Sequence, residues 1–145
     1  MEPELKKEYI DNGTLRLEWR DFPYLGKESR RAAVAARAAQ EQDRFWEYHD
    51  VLYQNQQGAE NSGTFSDENL SGFAREAGLD VERFQEDFES GKYEPVVDRV
   101  FRDAQDAGIQ GTPSFDMNGR VLVGAQSLEV FEQMIEEEAQ KAEGG

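Results

Sequence analysis

The sequence predicts an α/β domain that carries a helical insertion. An alternating run of apolar and polar residues at 14–21 indicates one strand, and a second such region at 114–123 indicates a hairpin. Between them, apolar side chains recur at helical spacing. Because 145 residues bury one moderate core, we expect a single α/β domain interrupted by helices.

The first predicted elements are the end of a helix and a strand. Residues 3–10 have the pattern of closing helical turns, and Gly13 is suited to end them in a left-handed conformation. The alternation that follows predicts a strand with one wetter face. Its apolar face consists of Leu15, Leu17 and Trp19.

The insertion is predicted to consist of helices separated by short stops. An alanine-rich helix is expected at 29–42, and it continues or resumes after a kink at 45–54. Ser66 and Asp80 are placed to cap two further helices. A last helix is expected from residue 93 to the stop at Gly108.

A proline turn, a hairpin and a closing helix end the sequence. Thr112-Pro113 stands just before a short strand, where an X-Pro bond is a candidate for the cis form. Asn118-Gly119 between two alternating runs is the strongest short hairpin signal. Ser127 is placed to cap the final helix. That helix has an apolar stripe of Leu128, Phe131, Met134 and Ile135.

Charge and cysteine content exclude several functions. The net charge of −15 disfavours binding to nucleic acid or to anionic membranes, because phosphates are repelled. No apolar run approaches the length that spans a bilayer, so no membrane partner is expected. The absence of cysteine excludes disulfides, thiolate metal ligands and thiol nucleophiles.

The remaining candidate residues favour structural roles. His49 is the sole histidine, so a metal site would need carboxylates, and we predict no metal site and no cofactor. His49 is expected on an aromatic helix face, and Trp19 and Trp46 are expected in the core. Asp21 is expected to stabilise a turn or to pair with Arg20 or Arg31.

Four segments in this order resemble the DsbA-like branch of the thioredoxin superfamily. The first two are Trp19-Arg20-Asp21-Phe22-Pro23 and Phe45-Trp46-Glu47-Tyr48-His49-Asp50. The other two are Gly111-Thr112-Pro113 and the hairpin segment with Asn118-Gly119 and Gly124-Ala125-Gln126. Each is weak alone, but their common order and spacing cover nearly the whole chain.

The resemblance implies a thioredoxin-like fold and a site for polypeptide. Residues 1–26 and 108–145 would form the thioredoxin-like part, and residues 27–107 the helical insertion. Members of the family are thiol-disulfide oxidoreductases of the extracytoplasmic space. Pro113 matches their cis-proline, and Thr112 would present its backbone to substrate. Gly111, Thr112 and Pro113 are therefore the predicted binding residues for extended polypeptide substrates.

This sequence departs from the family because nothing matches its Cys-x-x-Cys motif. We expect that the chain begins inside the first helix, lacks the first strand and the start of that helix, and is inactive as written. Its parent would then carry an in-frame dithiol before Met1 and act on disulfides of exported proteins. The alternatives are a non-catalytic thioredoxin-like module that binds extended peptides, and an acidic helical adaptor.

In the family arrangement, the missing strand would lie between the Leu15 strand and the Phe115 strand. Its absence should leave unpaired backbone groups at the gap. We expect compensation by strand exchange, by direct pairing of the two neighbours, or by a homodimer.

Overall fold

A computed structural model describes residues 2–56 and 58–144, so that Met1, Gln57 and Gly145 lie outside the description. The chain divides into two compact units. The first unit comprises the residues up to Arg20 together with those from Ile109 onward. The second unit, which we call the helical unit, comprises Asp21–Gly108.

The first unit contains a short helical start, a hairpin and a long final helix. Helix α1 (Glu2–Leu5) continues as a π-helical segment, Lys6–Ile10. The chain then turns at Gly13, whose φ of 83° confirms the predicted left-handed stop. Strands β1 (Ser114–Met117) and β2 (Arg120–Val123) form an antiparallel two-stranded sheet, and helix α7 follows at Leu128–Glu143.

Residues 15–20 are not a strand, which corrects the prediction made from their alternation. The N–H of Leu15 donates to the carbonyl of Tyr9, which ties the start of this run to the preceding helix. Within the described residues, the sheet contains β1 and β2 alone. A strand is defined by its ladder with a neighbour, so an alternating run without one is only irregular chain. Direct pairing of this run with β1 is therefore not found.

The helical unit contains five helices among its described residues. They are α2 (Lys27–Gln40), α3 (Phe45–Gln54), α4 (Asp67–Glu76), α5 (Val81–Glu89) and α6 (Glu94–Asp106). Of the two alternatives predicted there, the helix resumes after a break, and Asp43 lies in the break with a φ of 56°. The predicted caps are confirmed as well. The side chain of Ser66 accepts from Asn69 N, and that of Asp80 accepts from Arg83 N.

Small residues on α2 let the other helices pack closely. Ala35, Ala36, Ala38 and Ala39 are buried along this helix. Large rings fill the space around it, and Tyr48, Phe84, Phe88 and Leu70 are its largest fully buried neighbours in the same core. The Tyr48 hydroxyl donates to the carbonyl of Leu70 at 3.0 Å, and burial raises the pKa of this hydroxyl far above its usual value.

Asp21 is buried and pairs with Arg37 of α2, not with Arg20 or Arg31 as predicted. The Nε of Arg37 donates to Oδ2 of Asp21 at 2.7 Å. Arg20 instead pairs with Glu18 at 3.0 Å. Because buried carboxylates need a partner, this pair fixes the start of the helical unit to α2.

The core of the first unit lies between the hairpin and α7. Phe131, Met134 and Ile135 of α7 are buried, as their helical spacing predicts. The rings of Phe115 and Phe131 meet edge to face, with centroids 4.8 Å apart. Across the described parts of both units, no helix combines the length and the apolar character needed to cross a membrane.

Candidate functional site

The loop Gly111-Thr112-Pro113 leads directly into β1 and is held at both ends. The peptide bond between Thr112 and Pro113 is cis. At the start of the loop, the carbonyl of Gly111 accepts a hydrogen bond from the Ser114 hydroxyl at 2.7 Å. At the end of the loop, the carbonyl of Pro113 accepts a hydrogen bond from the N–H of Gly124 at 2.8 Å. Both anchors lie in the first unit, so the hairpin positions the loop.

The centre of the loop is open to solvent. Thr112 and Pro113 are exposed, and Gly111 is half-buried. In the part of the chain that the structure describes, neither the N–H nor the carbonyl of Thr112 has a hydrogen-bond partner. Thr112 therefore presents a free donor and a free acceptor from an anchored backbone.

The register of the hairpin shows which backbone groups of β1 face outward. Ser114 lies opposite Val123, and Asp116 lies opposite Val121. The Pro113 carbonyl accepts from Gly124 across the hairpin, so Pro113 and Gly124 form a hydrogen-bonded pair. In an antiparallel sheet such pairs alternate with pairs that are not hydrogen-bonded, and the pairs of Ser114 and Asp116 are of the second kind. The N–H and carbonyl groups of Ser114 and Asp116 consequently point away from β2. They continue the free edge that begins at Thr112.

One face of the sheet is covered and the other is open. Phe115 and Leu122 lie opposite each other, and Phe115 contacts α7. Val121 and Val123 share the other face, since side chains alternate along a strand, and they are 51% and 67% exposed. The hairpin thus offers an open edge beside an exposed apolar face.

Charged residues tie the hairpin to α7. Arg120 donates to Glu137 at 2.8 Å and to Glu138 at 3.3 Å. Hydrogen bonds from Arg120 and Gln133 hold the pKa of the Glu137 carboxyl below its usual value. The pKa of Glu138 is also lowered, chiefly by the hydrogen bond from Lys141. These contacts support the hairpin from the side opposite the exposed valines.

The other candidate residues lie on α3. His49 is buried, and its ring contacts those of Trp46 and Tyr53 at centroid distances of 5.4 and 4.6 Å. Its Nδ1 lies 3.0 Å from Oδ1 of Asp50. The predicted aromatic surroundings of His49 are confirmed. Trp46, however, is 39% exposed, and Trp19 of the first unit is 37% exposed, so neither is in the core as predicted.

The sequence did not predict the contacts by which three residues organise the loop and the hairpin. The hydroxyl of Ser114 closes the turn around Gly111. Gly124 supplies the amide that holds Pro113, and its φ of 80° ends the return strand. The side chain of Gln126 donates to the Val123 carbonyl at 2.9 Å. A glycine directly after a strand is a signal that could have predicted the turn at Gly124.

Comparisons with known proteins agree with this geometry. A family model described as thioredoxin matches residues 1–137. The probable disulfide bond formation protein D of Bacillus anthracis is 36% identical over 123 residues, which are 82% of this chain. A thioredoxin-like oxidoreductase structure from Silicibacter pomeroyi superposes with a TM-score of 0.75 at 28% identity, covering 96% of this chain and 77% of that one. The chain belongs to the DsbA-like thiol-disulfide oxidoreductase family. Its fold is thioredoxin-like, rich in helix, with a small two-stranded sheet.

This DsbA-like chain spans only part of its curated relatives. The match covers 56% of the length of the Bacillus anthracis protein. A segment of the Na(+)/H(+) antiporter NhaA 1 of Salinispora arenicola is also 30% identical, over 90% of this chain and 19% of that protein. The same type of module thus occurs within proteins of very different length.

The loop and the edge of β1 carry backbone hydrogen-bonding groups and no thiol. Disulfide exchange proceeds by attack of a thiolate on a sulfur, and the DsbA-like chain has no cysteine. What the loop and the free edge of β1 can supply is hydrogen bonding to an extended backbone.

Proposed function

We propose that this chain is the polypeptide-holding part of a DsbA-like thiol-disulfide oxidoreductase that acts on disulfides of exported proteins. In this proposal Gly111, Thr112 and Pro113 form the binding loop. The Thr112 backbone exchanges hydrogen bonds with an extended segment of the substrate. The chain itself, without sulfur, does not catalyse the exchange.

The observation that carries the proposal is the free, anchored backbone of Thr112. A bound segment in extended conformation needs donors and acceptors at strand spacing, because its own backbone groups would otherwise lose their water partners. Thr112, Ser114 and Asp116 provide such groups along one edge. Main-chain recognition of this kind tolerates many side chains, which suits an enzyme with varied substrates.

The setting that we propose is outside the cytoplasm. Disulfides form and persist in oxidising compartments, where exported proteins acquire them. The relative from Bacillus anthracis carries disulfide bond formation in its name, which supports this setting for the family to which the chain belongs.

A second candidate function is a non-catalytic thioredoxin-like module that binds extended peptides. It is favoured by the same loop, whose free backbone groups need no sulfur in order to bind. The two candidates differ in the affinity they need. A substrate groove assisted by a transient covalent bond needs only weak contacts, whereas a stand-alone module relies on its non-covalent contacts alone and needs a lower Kd.

The binding test uses a fluorescent ten-residue peptide rich in Thr and Val, together with an analogue methylated at alternate backbone amides. The unmodified peptide should bind, as followed by anisotropy, and the methylated one should bind at least about tenfold more weakly, a loss of roughly 1.4 kcal/mol. Equal binding of the two peptides, or no binding of either, would contradict both candidates.

Two variants assign the binding to the loop. Thr112→Pro removes the N–H of residue 112 and should weaken binding of the unmodified peptide about tenfold, roughly 1.4 kcal/mol. Thr112→Val changes the side chain but keeps the backbone donor, so it serves as the matched control and should bind normally. Weakening by Thr112→Val alone would show that the side chain, not the backbone, makes the contact.

The catalytic part of the proposal is tested by following glutathione-driven reduction of a disulfide-containing peptide. The rate with the chain present should equal the rate without it, because no thiolate is available. Protein-dependent acceleration would contradict the assignment of a purely holding role.

A further inference from the structure

Helix α2 receives its cap from a distant loop of the helical unit. Its N-cap residue is Gly26, which has no side chain to accept a hydrogen bond from the first turn. Oδ1 of Asn61, thirty-three positions after Glu28, accepts from the N–H of Glu28 at 3.2 Å. Nδ2 of Asn61 donates to the carbonyl of Leu25 at 2.8 Å. One side-chain amide thus satisfies backbone groups on both sides of Gly26.

The same loop is bound a second time, through the side chain of Glu28. The two carboxylate oxygens of Glu28 accept from the N–H groups of Gly63 and Phe65 at 2.7 and 2.9 Å. Asn61 therefore caps the helix, and Glu28 of the helix orders the loop. We propose that residues 61–65, which we call the strap, close on the first turn of α2 through this two-point latch and open as one unit.

Gly26 is the position at which the strap fits against the helix. Its φ is 108°, and a Cβ added there would lie 2.6 Å from Nδ2 of Asn61, so a side chain at 26 would displace Asn61. Asn61 has a φ of 53°, a left-handed conformation that costs free energy unless the surroundings hold it. The conformation of the strap and the bonds of the latch consequently depend on each other.

The other end of the strap is attached to α4. Nδ2 of Asn69 donates to the carbonyls of Gly63 and Thr64 at 3.1 and 3.2 Å. The ring of Phe65 contacts that of Phe73, with centroids 6.2 Å apart. Both partners lie on α4, so the strap stays on α4 when the latch releases α2. Opening then uncaps the first turn of α2 without unfolding the core, which is a local opening of low free energy.

Amide hydrogen exchange measured by NMR tests this coupling. The N–H groups of Glu28, Gly63 and Phe65 each bond across the latch. They should exchange with one common free energy of opening, below that of the buried amide of Ala38 in the same helix. Asn61→Ala removes the acceptor of the Glu28 N–H alone, yet it should speed exchange at Gly63 and Phe65 as well, by at least about fivefold.

Two further variants separate the latch from a general effect of loop mutations. Ser62→Ala is the matched control, since the Ser62 hydroxyl bonds that of Thr64 within the strap at 3.1 Å. It should leave the three exchange rates within about twofold of the natural chain. Gly26→Ala opens the latch from the helix side and should reproduce the pattern of Asn61→Ala. Circular dichroism of each variant measures whether the helices are retained.

The double variant Gly26→Ala/Asn61→Ala tests whether both positions act through one latch. Exchange of the three amides should be no faster than in the faster single variant, because the latch is already open. Rates that multiply would show that the two positions act separately, and would contradict the proposal.

Three other results would overturn the proposal. The first is faster exchange in Asn61→Ala at the Glu28 amide alone, which would show that the two contacts are independent. The second is exchange of all three amides at the rate of Ala38, which would show that the strap opens only when the core unfolds. The third is an equal effect of Ser62→Ala, which would show that the latch has no special role.

Discussion

The two units of this chain solve the problem of burying apolar surface in different ways. The helical unit encloses three large rings almost completely, and Phe84 is 0% exposed between Tyr48 and Phe88. The first unit buries three residues of α7 and leaves Val121 and Val123 largely exposed on the hairpin. The difference indicates that the helical unit supplies most of the stability, whereas the first unit leaves backbone groups and apolar surface exposed.

The largest expected effect tests that division directly. Phe84→Ala should lower the free energy of unfolding by about 3–5 kcal/mol, because it removes a fully buried ring and leaves a cavity. Val123→Ala should change it by less than about 0.5 kcal/mol, since that side chain is largely in water. Urea unfolding followed by circular dichroism measures both free energies. Comparable losses of stability in the two variants would contradict the view that the helical unit supplies most of the stability.

A smaller effect is expected at the helix starts. The Asp80 side chain accepts from Arg83 N, so Asp80→Ala should cost about 1 kcal/mol. Ser127 occupies the same position before α7 but makes no such bond, contrary to the predicted cap. Its hydroxyl instead hydrogen-bonds Glu129 and lowers the pKa of that carboxyl. Ser127→Ala should therefore cost only a few tenths of a kcal/mol, about what a surface change costs, and an equal loss at both positions would refute this distinction.

The smallest effect concerns pH and the anchor between the hairpin and α7. The pKa values of Glu137 and Glu138 are lowered in the folded chain, so the unfolded chain binds more protons as the pH falls toward their range. Their contribution to the free energy of unfolding is complete above the usual glutamate pKa of about 4.3. It is lost as the pH falls through the lower pKa values of the folded chain. Because these groups lie at the surface, salt should weaken the contribution.

The variant Arg120→Gln tests whether this stabilisation is lost, and not gained, as the pH falls. The variant should melt at a lower temperature than the natural chain at pH 7, and the gap should narrow at pH 3 and in 1 M salt. A gap that widens on acidification would show that the carboxylates are not stabilised by Arg120.

The features that could be predicted from the sequence are those set by neighbouring residues. Asn118-Gly119 fixes the hairpin locally, and both strands lie where the alternation placed them. The caps at Ser66 and Asp80 are equally local. The assignment of Thr112 and Pro113 to polypeptide binding stays a prediction, although their exposure and anchoring fit it.

The features that could not be predicted depend on distant partners. Residues 15–20 alternate like a strand, but a strand exists only where another strand pairs with it. Asp21 pairs with Arg37, which lies sixteen positions further along the chain on α2. That contact depends on how α2 packs, not on the residues next to Asp21. The exposure of Trp46 depends on what packs over α3, and periodicity alone gives no information on that.

The run of buried alanines along α2 sets a limit on how this molecule can diverge. The side chains of Ala35, Ala38 and Ala39 are 0% exposed, so no solvent-filled space lies beside them for a larger side chain. A longer side chain there would force helices apart at a cost of about 1–3 kcal/mol. This narrow strip must therefore keep its small side chains if the helices are to stay in contact.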